Sequence, residues 1–187
     1  EMAAAQSDPR VKMIVLDFDS PGGWSIAGDK LFSIARAADK AQGPPIFAWC
    51  GDGAEVCSAA YQGATPARMF LTGPYASAVG CVGTYLALLD DSEFWKSMGV
   101  EIKVLRSGAM KGTGLDGYSE DQLAWLQSTV DQFGARFRAN VAAYRTSLDA
   151  GQMEGQFYDG ATANRLRFTH GTAPDLASAL TKFRRQI

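Results

Sequence analysis

"LDFDSPGG", Leu16 to Gly23, is the stretch from which the fold is read. The residues leading into it, from Val11 to Leu16, are mostly apolar and rich in branched side chains, the pattern of a buried strand. Pro21, Gly22 and Gly23 then end the strand and leave the main chain bare at one point. After the turn, Ile26, Leu31, Ile34, Ala35 and Ala38 recur near the helical period, and "QGPP" (Gln42 to Pro45) stops that helix. A strand, a glycine turn and a helix in succession open an α/β fold with a mainly parallel sheet. In such sheets ligands bind beyond the carboxyl ends of the strands, where "SPGG" and the loop before Ser58 lie.

The pattern continues downstream. "IFAWC" (Ile46 to Cys50) and "RMFLT" (Arg68 to Thr72) read as strands. Between them, a glycine-bounded loop leads into a small-residue helix closed by Pro66. "GPYASAVGCVG" reads as a loop, "DSEFWKSM" as a short helix capped by Gly99, and "VEIKVLRS" (Val100 to Ser107) as a fourth strand. Ser119 with Gln122 forms a capping box for a long helix to about Ser147, on which Leu123, Leu126, Val130, Phe133, Phe137, Val141 and Tyr144 recur at spacings of three and four. The tail predicts a turn of helix, a strand-like stretch and a terminal helix. The 187 residues suit one domain. The opening "EMAAAQSDPR" lacks an initiator Met and reads like the end of a helix, so the expectation is a fragment whose N-terminal strands, and any membrane anchor, lie upstream.

Composition narrows the function classes. A net charge of −2 gives no basic footprint for nucleic acid. No apolar run approaches the roughly 18 residues of a membrane helix. One His and three cysteines without CxxC spacing argue against a zinc-type metal site, and the odd cysteine count favours free thiols in a reducing compartment.

The residues able to do chemistry lie in the strand-end loops. Ser58 follows a glycine-rich loop and opens a helix of small residues, where free N–H groups and the helix dipole favour developing negative charge. From local sequence alone it reads more readily as an N-cap, where Ser is preferred. A serine hydroxyl needs a base. His170 is one candidate, read also as a surface histidine. Lys111, in "SGAMKGTG", is another, because a lysine withdrawn from water gives up its proton more readily. Taken alone, a lysine in a glycine loop is more often a phosphate contact or a surface residue. Gly22 and Gly23 serve a tight turn or lend main-chain N–H groups to an oxyanion.

Taken in order, "LDFDSPGG", "VCSAAYQGA", "AVGCVGTY" and "RSGAMKGTG" resemble the signal peptide peptidase A/protease IV family of serine peptidases, from about Val11 to about Ala163. The resemblance implies a ClpP/crotonase-like fold, a Ser–Lys dyad, no metal or organic cofactor, an extended peptide substrate and ring-like homo-oligomers. Carried over position by position, Ser58 matches the nucleophile, Lys111 the general base, and Gly22 and Gly23 the turn of the oxyanion hole. The "SAAY" form is similar to the phage-encoded branch, whose members act in capsid maturation in the host cytoplasm or prohead. A signal-peptide-degrading peptidase and a non-catalytic assembly subunit are the alternatives.

Two departures stand out. The family's "GSIGV" is "GCVGT" here, so Cys81 replaces the serine that orients the lysine, and Ser107 or Thr113 is left to take that part. The family's "GLVD" is replaced by "NRLRFTHG". A crotonase-type acyl-thioester enzyme on the same fold would instead use Glu55 and Asp52 as bases.

Overall fold

The computed structural model describes residues 2–40 and 43–187, with Lys40 described by its main chain only. The chain forms two compact units. One extends through Gly83 and resumes over Gly134–Ile187; the other is Thr84–Phe133. In chain order the helices and strands are α1 (Met2–Ser7), β1 (Ile14–Asp17), α2 (Ser25–Lys40), β2 (Ile46–Cys50), β3 (Glu55–Cys57), α3 (Ala59–Ala64), β4 (Met69–Thr72), β5 (Ala78–Gly80), α4 (Ser92–Ser97), α5 (Glu120–Ala142), β6 (Phe157–Tyr158), α6 (Gly160–Arg165), β7 (Gly171–Thr172) and α7 (Leu176–Arg184). The "QGPP" helix stop begins on Gln42, outside the described residues.

In the first unit, β1, β2, β4 and β7 lie side by side in that order, all parallel. β2 is buried along its whole length, and its alternate residues divide between two cores. Ile46, Ala48 and Cys50 face Tyr61, Phe70 and Phe168. Phe47 and Trp49 face Leu71, Ala179 and Phe183. The Phe47 and Phe183 rings stack with centroids 4.6 Å apart. A second sheet runs β3-β5-β6, with β3 and β5 parallel and β5 and β6 antiparallel. This is the α/β, mainly parallel architecture expected.

Four local expectations are corrected. β1 is half-buried, because among the described residues it is an edge strand paired with β2 alone. On α2 the packed residues are Gly28, Leu31, Phe32, Ala35 and Ala38, while Ile26 and Ile34 are exposed. Gly28 decides that rotation: a methyl there would stand 3.0 Å from Ala59 Cα, so only glycine lets α2 approach α3 so closely. "GDGAEVC" and "GPYASAVGCVG" contain strands β3 and β5. "VEIKVLRS" pairs with no strand among the described residues. The amide of Val100 instead donates to Trp95 O at 3.0 Å, closing the end of α4.

The second unit holds α4 and the first part of α5. The capping box is formed: Gln122 N–H donates to Ser119 Oγ at 3.3 Å, and Ser119 N–H donates to Gln122 Oε1 at 3.1 Å. Leu86, Leu88, Leu123, Leu126 and Val130 line a groove of about 340 Å³. In the first unit α5 ends at Ala142, before the expected Ser147, and Phe137 and Val141 join the core. Among the described residues no helix is long and apolar enough to cross a membrane.

Candidate active site

The first unit builds a strand–turn–helix around Ser58. β3 ends at Cys57 and α3 begins at Ala59, and the single residue between them has φ 51° and ψ −124°. This is positive-φ backbone in a non-glycine residue, a conformation that persists only where its surroundings enforce it. Three contacts do so. Ser58 N–H donates to Gly80 O at 2.9 Å, and Ser58 O accepts from Gln62 N–H at 2.9 Å. The third is Gly22.

The SPGG turn reaches Ser58 because Ser20 extends the second sheet. Ser20 N–H donates to Glu55 O at 2.7 Å, and Cys57 N–H donates to Ser20 O at 3.1 Å. Two residues on, Gly22 has φ +115°, and a methyl there would stand 2.6 Å from Ser58 Cβ and 3.1 Å from Ala59 N. The bare backbone exists so that Ser58 can lie against it. Gly23, at φ +148°, faces open space.

The N-cap reading of Ser58 does not hold, because its side chain makes no capping hydrogen bond. The turn also sorts its own donors. Gly22 N–H is held by Ser20 Oγ at 3.2 Å. Gly23 N–H has no hydrogen-bond partner among the described residues. Ala59 is the first residue of α3, where an N–H finds no acceptor within the helix. The sequence marks Ala59 only as a small neighbour that lets a substrate approach; the signal for its N–H is its place directly after the serine.

The neighbouring thiols are poor nucleophiles. Burial, followed by the electrostatic influence of the neighbouring Cys81 and Glu55 side chains, pushes the Cys57 thiol up to about 12. Burial and nearby carboxylates, Asp19 first, do the same to Cys50. Cys81, at φ 55°, donates its N–H to Gln156 O at 2.7 Å, and burial raises its thiol too. Thiolates are therefore scarce at neutral pH.

His170 is engaged elsewhere. Its Nδ1 accepts from Phe70 N–H at 2.8 Å, and Arg145 Nη1 lies 3.4 Å from Nε2. Burial first, then the Arg145 charge, pushes the imidazole down to about 4. Asp52 Oδ1 accepts from Tyr75 N–H at 2.8 Å, and Asp19 Oδ1 accepts from the amide of Glu55 at 3.2 Å.

Lys111 and Ser107 belong to the second unit, and both are exposed. Lys111 N–H donates to Gly108 O at 2.9 Å, and Thr113 Oγ1 donates to Met110 O at 2.8 Å. Gly112 and Gly114, at φ +72° and +85°, supply the tight bends of this turn. Arg106 Nη2 meets Asp116 Oδ1 at 2.6 Å, joining residues on either side of Lys111 in sequence. Gln122 Nε2 donates to Ala109 O at 2.9 Å. No sequence signal marks that bond, which joins residues 13 apart.

The chain belongs to peptidase family S49, whose family model matches residues 38–174. It is similar to capsid assembly protease C of Escherichia phage lambda, 35% identical over 145 residues, covering 75% of this chain and 31% of that protein. It is also similar to the head-tail preconnector protein GP5 of Enterobacteria phage P21, 30% identical over 163 residues, covering 81% of this chain and 31% of that protein. The chain thus spans about a third of the length of these relatives. Among solved structures, a mutant of the 1510-N membrane-bound stomatin-specific protease matches with a TM-score of 0.54 at 12% identity, over 97% of this chain and 73% of that one. A second mutant of that protease, in complex with a substrate peptide, matches with a TM-score of 0.51 at 14% identity, over 97% and 69%. These likenesses show the fold, the ClpP/crotonase-like one.

Proposed function

We propose that this chain is the peptidase part of a serine endopeptidase that uses Ser58 as nucleophile and Lys111 as general base, and that it processes phage capsid or scaffold proteins. The observation that carries the proposal is Ser58 itself: a serine in left-handed backbone between a strand and a helix, its hydroxyl uncommitted to a cap, with a glycine turn pressed against it. Support for Lys111 comes from its place in "RSGAMKGTG" and its glycine-flanked turn. The S49 match and the phage relatives support the substrate class.

In this reading Ser58 Oγ attacks the scissile carbonyl carbon as its proton passes to the Lys111 amine. The carbonyl oxygen becomes an oxyanion, held by the main-chain N–H groups of Gly23 and Ala59; losing one such donor typically costs about 3 kcal/mol of transition-state stabilisation. The C–N bond breaks as Lys111 returns the proton to the leaving amine, giving an acyl-enzyme. Water, deprotonated by Lys111, then attacks the ester and frees Ser58. Lys111 is solvent-exposed in the free chain, so its role as base calls for the bound peptide to exclude water from it. The exposed rings of Trp24, beside the glycine turn, and Phe157, paired in register with Gly80, favour apolar side chains near the scissile bond.

The test compares wild type, Ser58→Ala and Lys111→Ala on denatured phage head and scaffold proteins, read by gel and mass spectrometry. Wild type is expected to cleave and both variants to be inactive. Cleavage by either variant at the wild-type rate sinks the dyad.

A further inference from the structure

We infer that Gln122 is a positioning residue for the lysine turn, an inference that rests on the reading of Lys111 as the base. From the sequence, Gln122 has one task, its half of the capping box. In the second unit its side chain performs two, one with each end of its amide. Oε1 accepts from Ser119 N–H at 3.1 Å, and Nε2 donates to Ala109 O at 2.9 Å. Gln122 is the third residue of α5 and 4% exposed, so neither amide group turns easily to water. Ala109 lies two residues before Lys111, inside the run Ser107–Gly114.

The turn needs such a tether. The run carries positive-φ glycines at Gly112 and Gly114, and no strand or helix covers it among the described residues. The local bonds Lys111 N–H to Gly108 O and Thr113 Oγ1 to Met110 O shape the turn but anchor it to nothing outside itself. The Arg106–Asp116 pair closes its neck, joining positions five before and five after the lysine. The Gln122 amide ties the turn's interior to the first turn of a long helix. A base displaced by about 1 Å can cost about a hundredfold in rate, so the bond acts on catalysis through Lys111 and not on substrate directly.

The two ends of the amide can be separated. Gln122→Glu keeps an acceptor for Ser119 N–H, and glutamate is itself a preferred capping-box residue, but it removes the donor to Ala109 O. Ser119→Ala removes the hydroxyl half of the box and leaves the tether. Each protein is reacted with a biotinylated fluorophosphonate, which reports the activation of Ser58, with Ser58→Ala as the control for site. Gln122→Glu is expected to stay folded at the assay temperature but melt below wild type, because a carboxylate then faces Ala109 O, and to label with a saturating rate lowered about tenfold or more at unchanged half-saturation. Ser119→Ala is expected to melt earlier and to label at the wild-type rate. If circular dichroism shows Gln122→Glu unfolded, Gln122→Met, of similar length and uncharged, replaces it with the same expected rate loss.

The failures are distinguishable. A folded Gln122 variant that labels like wild type, while Lys111→Ala does not label, overturns the positioning role and leaves the dyad standing. Wild-type labelling of Lys111→Ala overturns the base and the positioning role together.

Discussion

At the scale of single residues, the site turns on two backbone conformations that oppose each other across van der Waals contact. Ser58 is held at φ 51° and Gly22 at φ +115°. Gly22→Ala adds a methyl 2.6 Å from Ser58 Cβ in a conformation that costs an L-residue about 1–2 kcal/mol. Proteolysis should fall about a hundredfold or more, because Ser58 must move, while the melting temperature drops only modestly. Full activity in a folded Gly22→Ala protein would show that the contact has no bearing on the chemistry. The cysteines give a second test at this scale. With Cys50 and Cys57 pushed up to about 12, iodoacetamide at neutral pH should leave both unmodified in the native protein and label them after denaturation, read by mass spectrometry. Modification of Cys57 within minutes in the native state would contradict the burial argument.

At the scale of elements, α3 is held by the helix that follows the SPGG turn. Gly28 on α2 meets Ala59, and Gly63 on α3 meets Leu31. The Gln62 amide, 2% exposed, donates from Nε2 to Asp29 Oδ1 at 2.9 Å, and Asp29 Oδ2 pairs with Arg136 Nε at 2.8 Å. Asp29→Ala strands a buried amide donor and should cost about 1–3 kcal/mol in urea unfolding. Asp29→Asn keeps an oxygen for Gln62 and should cost less. Equal losses in the two variants would mean that the amide is not what Asp29 serves.

At the scale of the whole molecule, pH couples to stability through His170. The folded chain holds this imidazole down to about 4, against an ordinary value of 6.5, by burial and by the Arg145 charge. Between those values the unfolded chain takes up a proton that the folded chain refuses. The stabilisation is therefore complete above about pH 6.5 and is lost as pH falls toward 4. Melting temperature should drop across that window in wild type and drop less in His170→Asn, whose side-chain oxygen can still accept from Phe70 N–H. Parallel melting curves for the two proteins would assign the acid sensitivity elsewhere.

What the sequence determined by itself was local. Periodicity and caps located β2, β4, α3, the start of α5 and the terminal helix, because those signals lie within a few residues of one another. The order of the glycine motifs put forward Ser58, Lys111, Gly22 and Gly23 as candidates and did not choose between the two glycines. Tertiary structure decided whatever depends on a distant partner. β3 and β5, three residues each, are strands only because they pair with each other and, on their far sides, with Ser20 and with β6, whereas "VEIKVLRS" has a strand's composition and no neighbour to pair with among the described residues. Which N–H groups of the turn and of the start of α3 stay free among the described residues was decided in the same way, since Ser20 Oγ takes that of Gly22 and leaves those of Gly23 and Ala59. A hydrogen bond consumes one donor and one acceptor wherever they meet, and folding, not chain order, brings them together.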